Sequence, residues 1–389
     1  MRAYVFTDAS LKRHAGQFVW LAINTEHAET AAFRRKFPVE ALPTFFIVDP
    51  FTEKVLLRWV GGATVNQLHR LFDEQSAVWS ARLKRPGAAA AAGPRAAADA
   101  ALARADALYG EGKNAEAAKA YAEALAAAPR DWRSYSRAVE QALFALSSAD
   151  QPESCAVLAL DALPRFGRTS SAGNVAGSGL SCALQLPKEH PRRAALVNAL
   201  ESASRRIAAD TTITMAADDR SGLYISLLDA REDAADSTGR RAVAEAWARF
   251  LEGQAARARN SEARAVFDSH RLSAYLELGE PERAIPMLEA SERALPDDYN
   301  PPARLAVAYK ALRRWPEALA ASDRALAKAY GPRKLNIFQA RIEIYEGMGD
   351  RAAEKKTLEE AIAYAESLPE GQRSASRIAG FRKQLDALK

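Results

Sequence analysis

Ser273–Pro296 reads SAYLELGEPERAIPMLEASERALP, and the spacing inside it decides the fold. Tyr275 is followed four positions later by Gly279, then by Ala284 and Pro296. Tyr309 repeats Tyr275, and Ala318 repeats Ala284, at one shared interval. Tyr345 follows Tyr309 at nearly the same interval, again with a glycine, Gly349, four positions on, and Ala325 extends the pattern. A period of roughly 34 residues is that of a stack of helix–turn–helix pairs. One pair alone buries only one face, so the pairs have to stack.

The same offsets occur earlier. Gly112, Ala117, Tyr121, Ala124 and Pro129 match Gly279, Ala284, Leu288, Ser291 and Pro296. Small residues where paired helices touch and a proline closing the second helix resemble the tetratricopeptide repeat. The resemblance is clearest at 96–129, 262–296, 299–330 and 335–369, and 374–388 reads as a terminal capping helix. Between them the helices are less regular: Asp131–Ser147 with Pro152–Phe166, a glycine- and serine-rich Ser170–Gln185, then Pro191–Ala209, Asp219–Ala235 and Thr238–Asn260, with Thr211–Thr214 as a loop. The stretch 96–389 is thus predicted to form an all-α solenoid of about seven pairs and a cap.

The stretch 1–82 reads differently. Phe18–Ile23 is aromatic and β-branched and is expected to be a buried strand. His27–Phe37 reads as a helix stopped by Pro38. Thr44–Val48 and Val55–Val60 read as a hairpin around the turn Asp49–Lys54. Thr64 with Gln67 matches a capping box, opening a helix to about Ser80. With Leu42-Pro43-Thr44 just before the hairpin, this order resembles a thioredoxin-like domain, whose cis-proline Pro43 would match. The fold class expected is therefore multidomain: an incomplete thioredoxin-like α+β module over 1–82, an Ala/Pro/Gly linker over 83–95, and the solenoid.

The departure from that family is chemical. Its first strand and CxxC motif are absent, and Met1–His14 would be the rest of the helix that normally carries the cysteines. Either the sequence is clipped upstream, the favoured expectation, or the domain has re-paired its strands. Thiol–disulfide exchange needs an attacking thiolate at a helix N-terminus, and no cysteine is placed there. The only cysteines, Cys155 and Cys182, have no metal-ligand spacing and are expected to be small buried residues without a disulfide.

The remaining composition narrows the function further. A net charge of +5 with interspersed signs gives no nucleic-acid footprint. No run reaches membrane-spanning length. The five histidines are scattered without paired ligand spacing, so no metal, cofactor or catalytic residue is expected. The groove helices offer Ser269, Ser273, Asn300, Arg304, Val307, Asn336, Gln339 and Glu343, which do not make the carboxylate clamp of peptide-binding tetratricopeptide proteins. Asn300 and Arg304 are the possible contacts for a polar ligand. The expectation is a non-catalytic interaction scaffold with a protein or peptide partner. The alternative is a thiol–disulfide oxidoreductase whose CxxC lies upstream, with the repeats recruiting its substrate. Location follows the same fork: cytoplasmic as written, periplasmic or secreted if a leader was lost.

Overall fold

The computed structural model of the protein describes residues 5–39, 42–84 and 93–388, with 81–84 by backbone alone. It is mostly helical. The elements run α1 (Ala31–Lys36), β1 (Thr44–Val48), β2 (Val55–Val60), α2 (Val65–Lys84), α3 (Pro94–Gly110) and α4 (Asn114–Ala127). There follow α5 (Tyr135–Ser148), α6 (Pro152–Ala162), α7 (Ser170–Gln185), α8 (Arg193–Ala209), α9 (Ala217–Asp233) and α10 (Ser237–Ala256). The last are α11 (Ser261–Ala265), α12 (Asp268–Leu278), α13 (Ala284–Ala294), α14 (Asn300–Ala311), α15 (Trp315–Lys328), α16 (Lys334–Met348), α17 (Arg351–Ser367) and α18 (Ala375–Asp386). Two compact units result: Met1–Val19 with Pro38–Val243, and Trp20–Phe37 with Ala244–Lys389. The expected linker falls mainly on 85–92, outside the described residues.

In the first unit β1 and β2 pair antiparallel, Thr44 opposite Val60 and Phe46 opposite Arg58. The turn between them is held by Asp49, whose Oδ1 accepts from the amides of Phe51 and Thr52 at 2.9 and 3.1 Å. Alternation along β2 then decides what each face meets. Leu57 and Trp59 join Leu11, Leu68, Leu71 and Phe72 in one core under α2. Arg58 points the other way, onto α3. It is fully buried, donates to the Tyr109 carbonyl at 2.9 Å, and lies 4.3 Å from the centre of the Tyr109 ring. A Cβ on Gly110 would come within 2.7 Å of Val55 Cβ, so a glycine is what lets α3 lie this close to the strand. At the start of α2, Thr64 N donates to Gln67 Oε1 at 2.8 Å and Gln67 N to Thr64 Oγ1 at 3.2 Å, which is the capping box.

A buried ionic node links the hairpin's helix to the first repeat. Asp106 of α3 accepts from Tyr121 Oη of α4 at 2.8 Å and from Arg137 Nη1 of α5 at 2.7 Å. Arg137 Nε lies 3.6 Å from Glu74 of α2. Burial pushes the carboxyl of Asp106 up, and Arg137 pulls against it.

Among the described residues the larger sheet expected of a thioredoxin-like domain is not present. Among the described residues only β1 and β2 pair. The expected strand Phe18–Ile23 is not a strand, and Val19 and Leu21 are 88% and 76% exposed. Its side chains favour pleated, half-buried surroundings, but β propensity is realised only against a neighbouring strand. Of the expected helix over Met1–His14, the described residues wind only at Ala9–His14, as a short 3₁₀ turn capped by Asp8.

Farther on, α7 is enclosed by α5, α6, α8 and α9. Its small residues make that possible. A Cβ on Gly179 would meet Ala159 Cβ at 2.4 Å, and one on Gly173 would meet Met215 Cε at 2.0 Å. The expectation for the cysteines is corrected here. Both are buried, but Cys155 of α6 and Cys182 of α7 are joined as a disulfide, their Cα atoms 6.0 Å apart. A separation of 27 residues carries the chain from one helix to the facing side of the next, a relation that spacing alone does not reveal. Two buried arginines finish helix ends. Arg220 donates to the carbonyls of Ile207, Ala208, Asp210 and Ile213, closing α8 and ordering the loop after it. Arg193 does the same for Leu184 and Leu186 at the end of α7 while pairing with Asp233.

The second unit holds the clearest repeats. Ala284, Ala318 and Ala325 are fully buried at helix contacts, and Tyr275 is nearly so. Gly279 and Gly349 end their helices at φ +71° and +73°, as Gly112 does at +75° in the first unit. In the α14–α15 turn Arg313 stands at that place, four positions after Tyr309, and adopts φ +55° itself. An arginine covers each repeat tyrosine: Arg283 over Tyr275, Arg314 over Tyr309, Arg341 over Tyr345. α18 closes the row with an apolar face, Ile378 and Phe381, packed on Phe338, Ile342, Leu358 and Ala361.

The segment 20–37 belongs to this unit as well. Asn24 Nδ2 donates to Tyr330 Oη at 3.0 Å, and His27 stacks on the Tyr330 ring. Glu26 accepts from the Arg333 amide and pairs with its guanidinium at 3.2 Å. Gln372 Nε2 donates to the carbonyls of Thr25 and His27 at 3.2 and 2.6 Å. These partners all sit in the turns before α16 and before α18.

Two stability outcomes follow. Cys182→Ala should lower unfolding free energy by about 3.5 kcal/mol, the entropy of a released loop spanning 27 residues, read by urea titration against the oxidised wild type. Gly349→Ala, at φ +73°, should cost about 1 kcal/mol, and Arg313→Gly, at φ +55°, should add a comparable amount, checked by the same titration.

Candidate functional site

The expected groove pair is only partly available. Asn300 is turned back on its own helix start: its amide and its Nδ2 both donate to Asp298 Oδ1, at 2.8 and 2.7 Å. Arg304 lies among Asp268, Asp298 and Tyr299, with burial drawing its pKa down and the two carboxylates opposing that. Among the described residues it has no hydrogen-bond partner. The neighbouring groove residues are engaged within the unit. Asn336 accepts from Arg377, Gln339 donates to Glu343, and Glu343 pairs closely with Lys310.

At the other expected site the Leu42–Pro43 bond is cis. The Pro43 carbonyl accepts from the Gly61 amide at 3.0 Å, so the loop is tied to the turn that ends β2. That turn, Gly61-Gly62, forms one wall of a cleft of about 330 Å³ that the sequence does not announce. Leu143 and Phe144 of α5 form a second wall, Asn174, Ser178 and Ser181 of α7 a third, and Asp218, Asp219 and Leu223 of α9 a fourth. Cys182 also lines it, so the disulfide holds part of its floor.

The cleft is organised around one amide. Asn174 Nδ2 donates to Glu140 Oε2 at 3.1 Å, and Asn174 is also hydrogen-bonded to Asp219. The Gly62 backbone bonds Asp219 too, and a Cβ on Gly62 would come within 2.7 Å of Asp219 Oδ1. Asp219 is thereby fixed, yet its Oδ2 is closed to solvent and has no hydrogen-bond partner among the described residues. Its pKa is raised to about 7, first by burial, then by the charges of Glu140 and Asp218. Glu140 is raised for the same first reason. Among the described residues no lysine, arginine or histidine lines the cleft.

Among the described residues no group of three or more His, Cys, Asp or Glu side chains is arranged to hold a metal, and no helix is long and apolar enough to cross a membrane. A serine–histidine chain does occur near the amino terminus. Ser10 Oγ lies 2.9 Å from His69 Nε2, and His69 Nδ1 lies 2.9 Å from His14 Nε2. Ser10 Oγ donates to Asp8 at 2.6 Å, however, so the hydroxyl proton is committed to a cap rather than to the imidazole.

No family model matches the chain, and no curated protein matches it. Among solved structures it is similar to the TPR2AB-domain:pHSP90-complex of yeast Sti1, at 15% identity over 74% of this chain and 98% of that one, with a TM-score of 0.28. At that score the repeat architecture rests on the helical pairs described above.

Asp219 yields a pH signature. Its folded pKa of about 7 lies above the ordinary 3.8, so the native state holds a proton that the unfolded chain releases. Stability relative to Asp219→Asn should therefore fall as pH rises from about 4 to about 7. Melting temperatures of both proteins across that range check it, and a flat difference contradicts it.

Proposed function

We propose that the protein is a non-catalytic interaction scaffold of the tetratricopeptide type, which holds a protein or peptide partner on its stacked helical pairs. The observation that carries this reading is the repeated hairpin itself: buried alanines at each helix contact, left-handed turns at Gly112, Gly279, Arg313 and Gly349, and an arginine over each repeat tyrosine of the second unit. Such rows bury one face of every helix and leave the first helices of successive pairs to line a continuous surface. The hairpin module, with its cis Leu42–Pro43 bond, is read as a thioredoxin-like remnant that supplies a wall for binding rather than a redox centre. In support, the two cysteines of this sequence are spent on each other in a buried bridge. Neither offers a thiolate.

Peptide display tests the reading, with the full chain as bait and soluble chain as competitor. The expected result is a family of peptides sharing a motif, enriched over a bait-free control and displaced by competitor. Selection without any shared motif overturns it.

A further inference from the structure

We propose that the row of turns before α14, α16 and α18 is a binding track for an extended acidic peptide of the partner protein, and that the segment 20–37 fills part of it as an internal placeholder. This rests on the scaffold reading and goes beyond it by naming the surface and the chemistry recognised.

Fit to a main chain is the first argument. The segment runs along successive repeats. Asn24, Glu26 and His27 engage Tyr330 and Arg333 in the turn before α16. Ala31 and Arg35 meet Gly371 and Glu370 in the turn before α18. Gln372, itself buried, gives its Nε2 to two main-chain carbonyls, those of Thr25 and His27. A Cβ on Gly331 would come within 2.2 Å of the Glu26 carbonyl oxygen, and one on Gly371 within 2.2 Å of that of Ala31. Gly331 is left-handed at φ +62°, but Gly371 is not, so the passing chain rather than a turn accounts for its missing side chain. Those contacts accept any polypeptide backbone. Two others read side chains: Arg333 takes the Glu26 carboxylate, and Tyr330 stacks on the His27 ring.

A light hold is the second. The Asn24–Tyr330, Glu26–Arg333 and Arg35–Glu370 bonds all lie at exposed positions, where such pairs contribute little. Trp20, Leu21 and Ile23 are exposed. The segment joins the first unit at both ends, at Val19 and Pro38, so it reaches these helices as a loop and not as a continuation of them.

Unfilled length is the third. Traced back from α18 through α16, the line of the segment leads to the turn before α14. Tyr299 there is near enough to Glu26 and Arg333 for their charges to act on it. One turn into α14, Arg304 is half-buried, has no hydrogen-bond partner among the described residues, and keeps its nitrogens open to solvent. Asp268 and Asp298 act on it only through their charge, since Asp268 is bonded to Ser291 and Asp298 to Asn300. The residues ahead of Asn24, Trp20-Leu21-Ala22-Ile23, carry no acid to meet it. A peptide with a second carboxylate there gives Arg304 a direct partner, an advantage over the placeholder.

The test is fluorescence anisotropy on the full chain. The probes are a blocked, labelled peptide of residues 20–37 and its counterpart carrying Leu21→Glu and Ile23→Glu. A chain loosened by Glu26→Ala with His27→Ala should bind the first peptide at least tenfold more tightly than wild type. Glu26→Ala alone, a milder change, should show a smaller gain in the same direction, and Arg333→Ala in the loosened chain should cancel the gain. The second peptide should bind at least fivefold more tightly than the first, and Arg304→Ala should remove that margin. Gly371→Ala displaces the placeholder but also obstructs the track, so it should bind neither peptide. Equal binding of the first peptide by wild-type and loosened chains overturns the proposal, as does a gain in Gly371→Ala, which would mark general loosening. A dimer, seen by light scattering, whose formation the peptide blocks also overturns it, in favour of the segment being exchanged between two copies. A shared motif in the display experiment with no gain on loosening sinks this inference and leaves the scaffold standing, while the reverse pair of results keeps the track and sinks the wider scaffold reading.

Discussion

Asp106 places a carboxyl where there is almost no water, and the first unit is arranged around meeting it. Tyr121 and Arg137 donate to its two oxygens from different helices, and Glu74 answers the far side of Arg137 from a fourth. Removing one partner of such a buried pair leaves a bare charge, which typically costs about 3–5 kcal/mol. The node therefore fixes how α2, α3, α4 and α5 meet more stringently than apolar packing does, because apolar contacts tolerate sliding. Arg58 extends the same constraint to the β-hairpin. Two strands alone are marginal in water. These two persist because α2 covers one side of β2 and α3 the other.

That arrangement explains why the Gly61-Gly62 turn can serve as a wall. The turn is held at its Pro43 end by a backbone bond and at its far end by the bond between Gly62 and Asp219. Opposite it, α7 is thin. Its glycines and serines let α6, α8 and α9 close in while leaving space on the side of α5. The disulfide to α6 keeps that helix from shifting into the gap.

Legibility in the sequence follows range. The hairpins of the second unit are readable because each depends on contacts within a single repeat, and Tyr275, Gly279 and Ala284 mark a tyrosine, a left-handed turn and a close approach in fixed order. The Thr64–Gln67 box and the Asp49 turn are readable for the same reason: both are completed within one short turn of chain. Phe18–Ile23 misleads because β propensity describes a side chain's preference and not whether a neighbouring strand exists. The disulfide is hidden because facing helices are not visible in a spacing of 27. The cleft is invisible because Gly62, Glu140, Asn174 and Asp219 come from four separate elements, and none is unusual where it stands. The glycine-rich α7 is the one signal pointing there. It reads as a helix needing close neighbours, which it is, but not as the side of a cavity.

The chain's path also sets an order of assembly. Gln372, which holds the carbonyl of His27 in the segment 20–37, is polymerised 345 residues after it. At about 5–20 residues per second that interval is roughly 17–70 s. Throughout it the bonds from Gln372 to the carbonyls of Thr25 and His27 cannot form. The second unit thus reaches its final form only after Gln372 has left the ribosome, with an earlier-made segment fitted onto a later-made one.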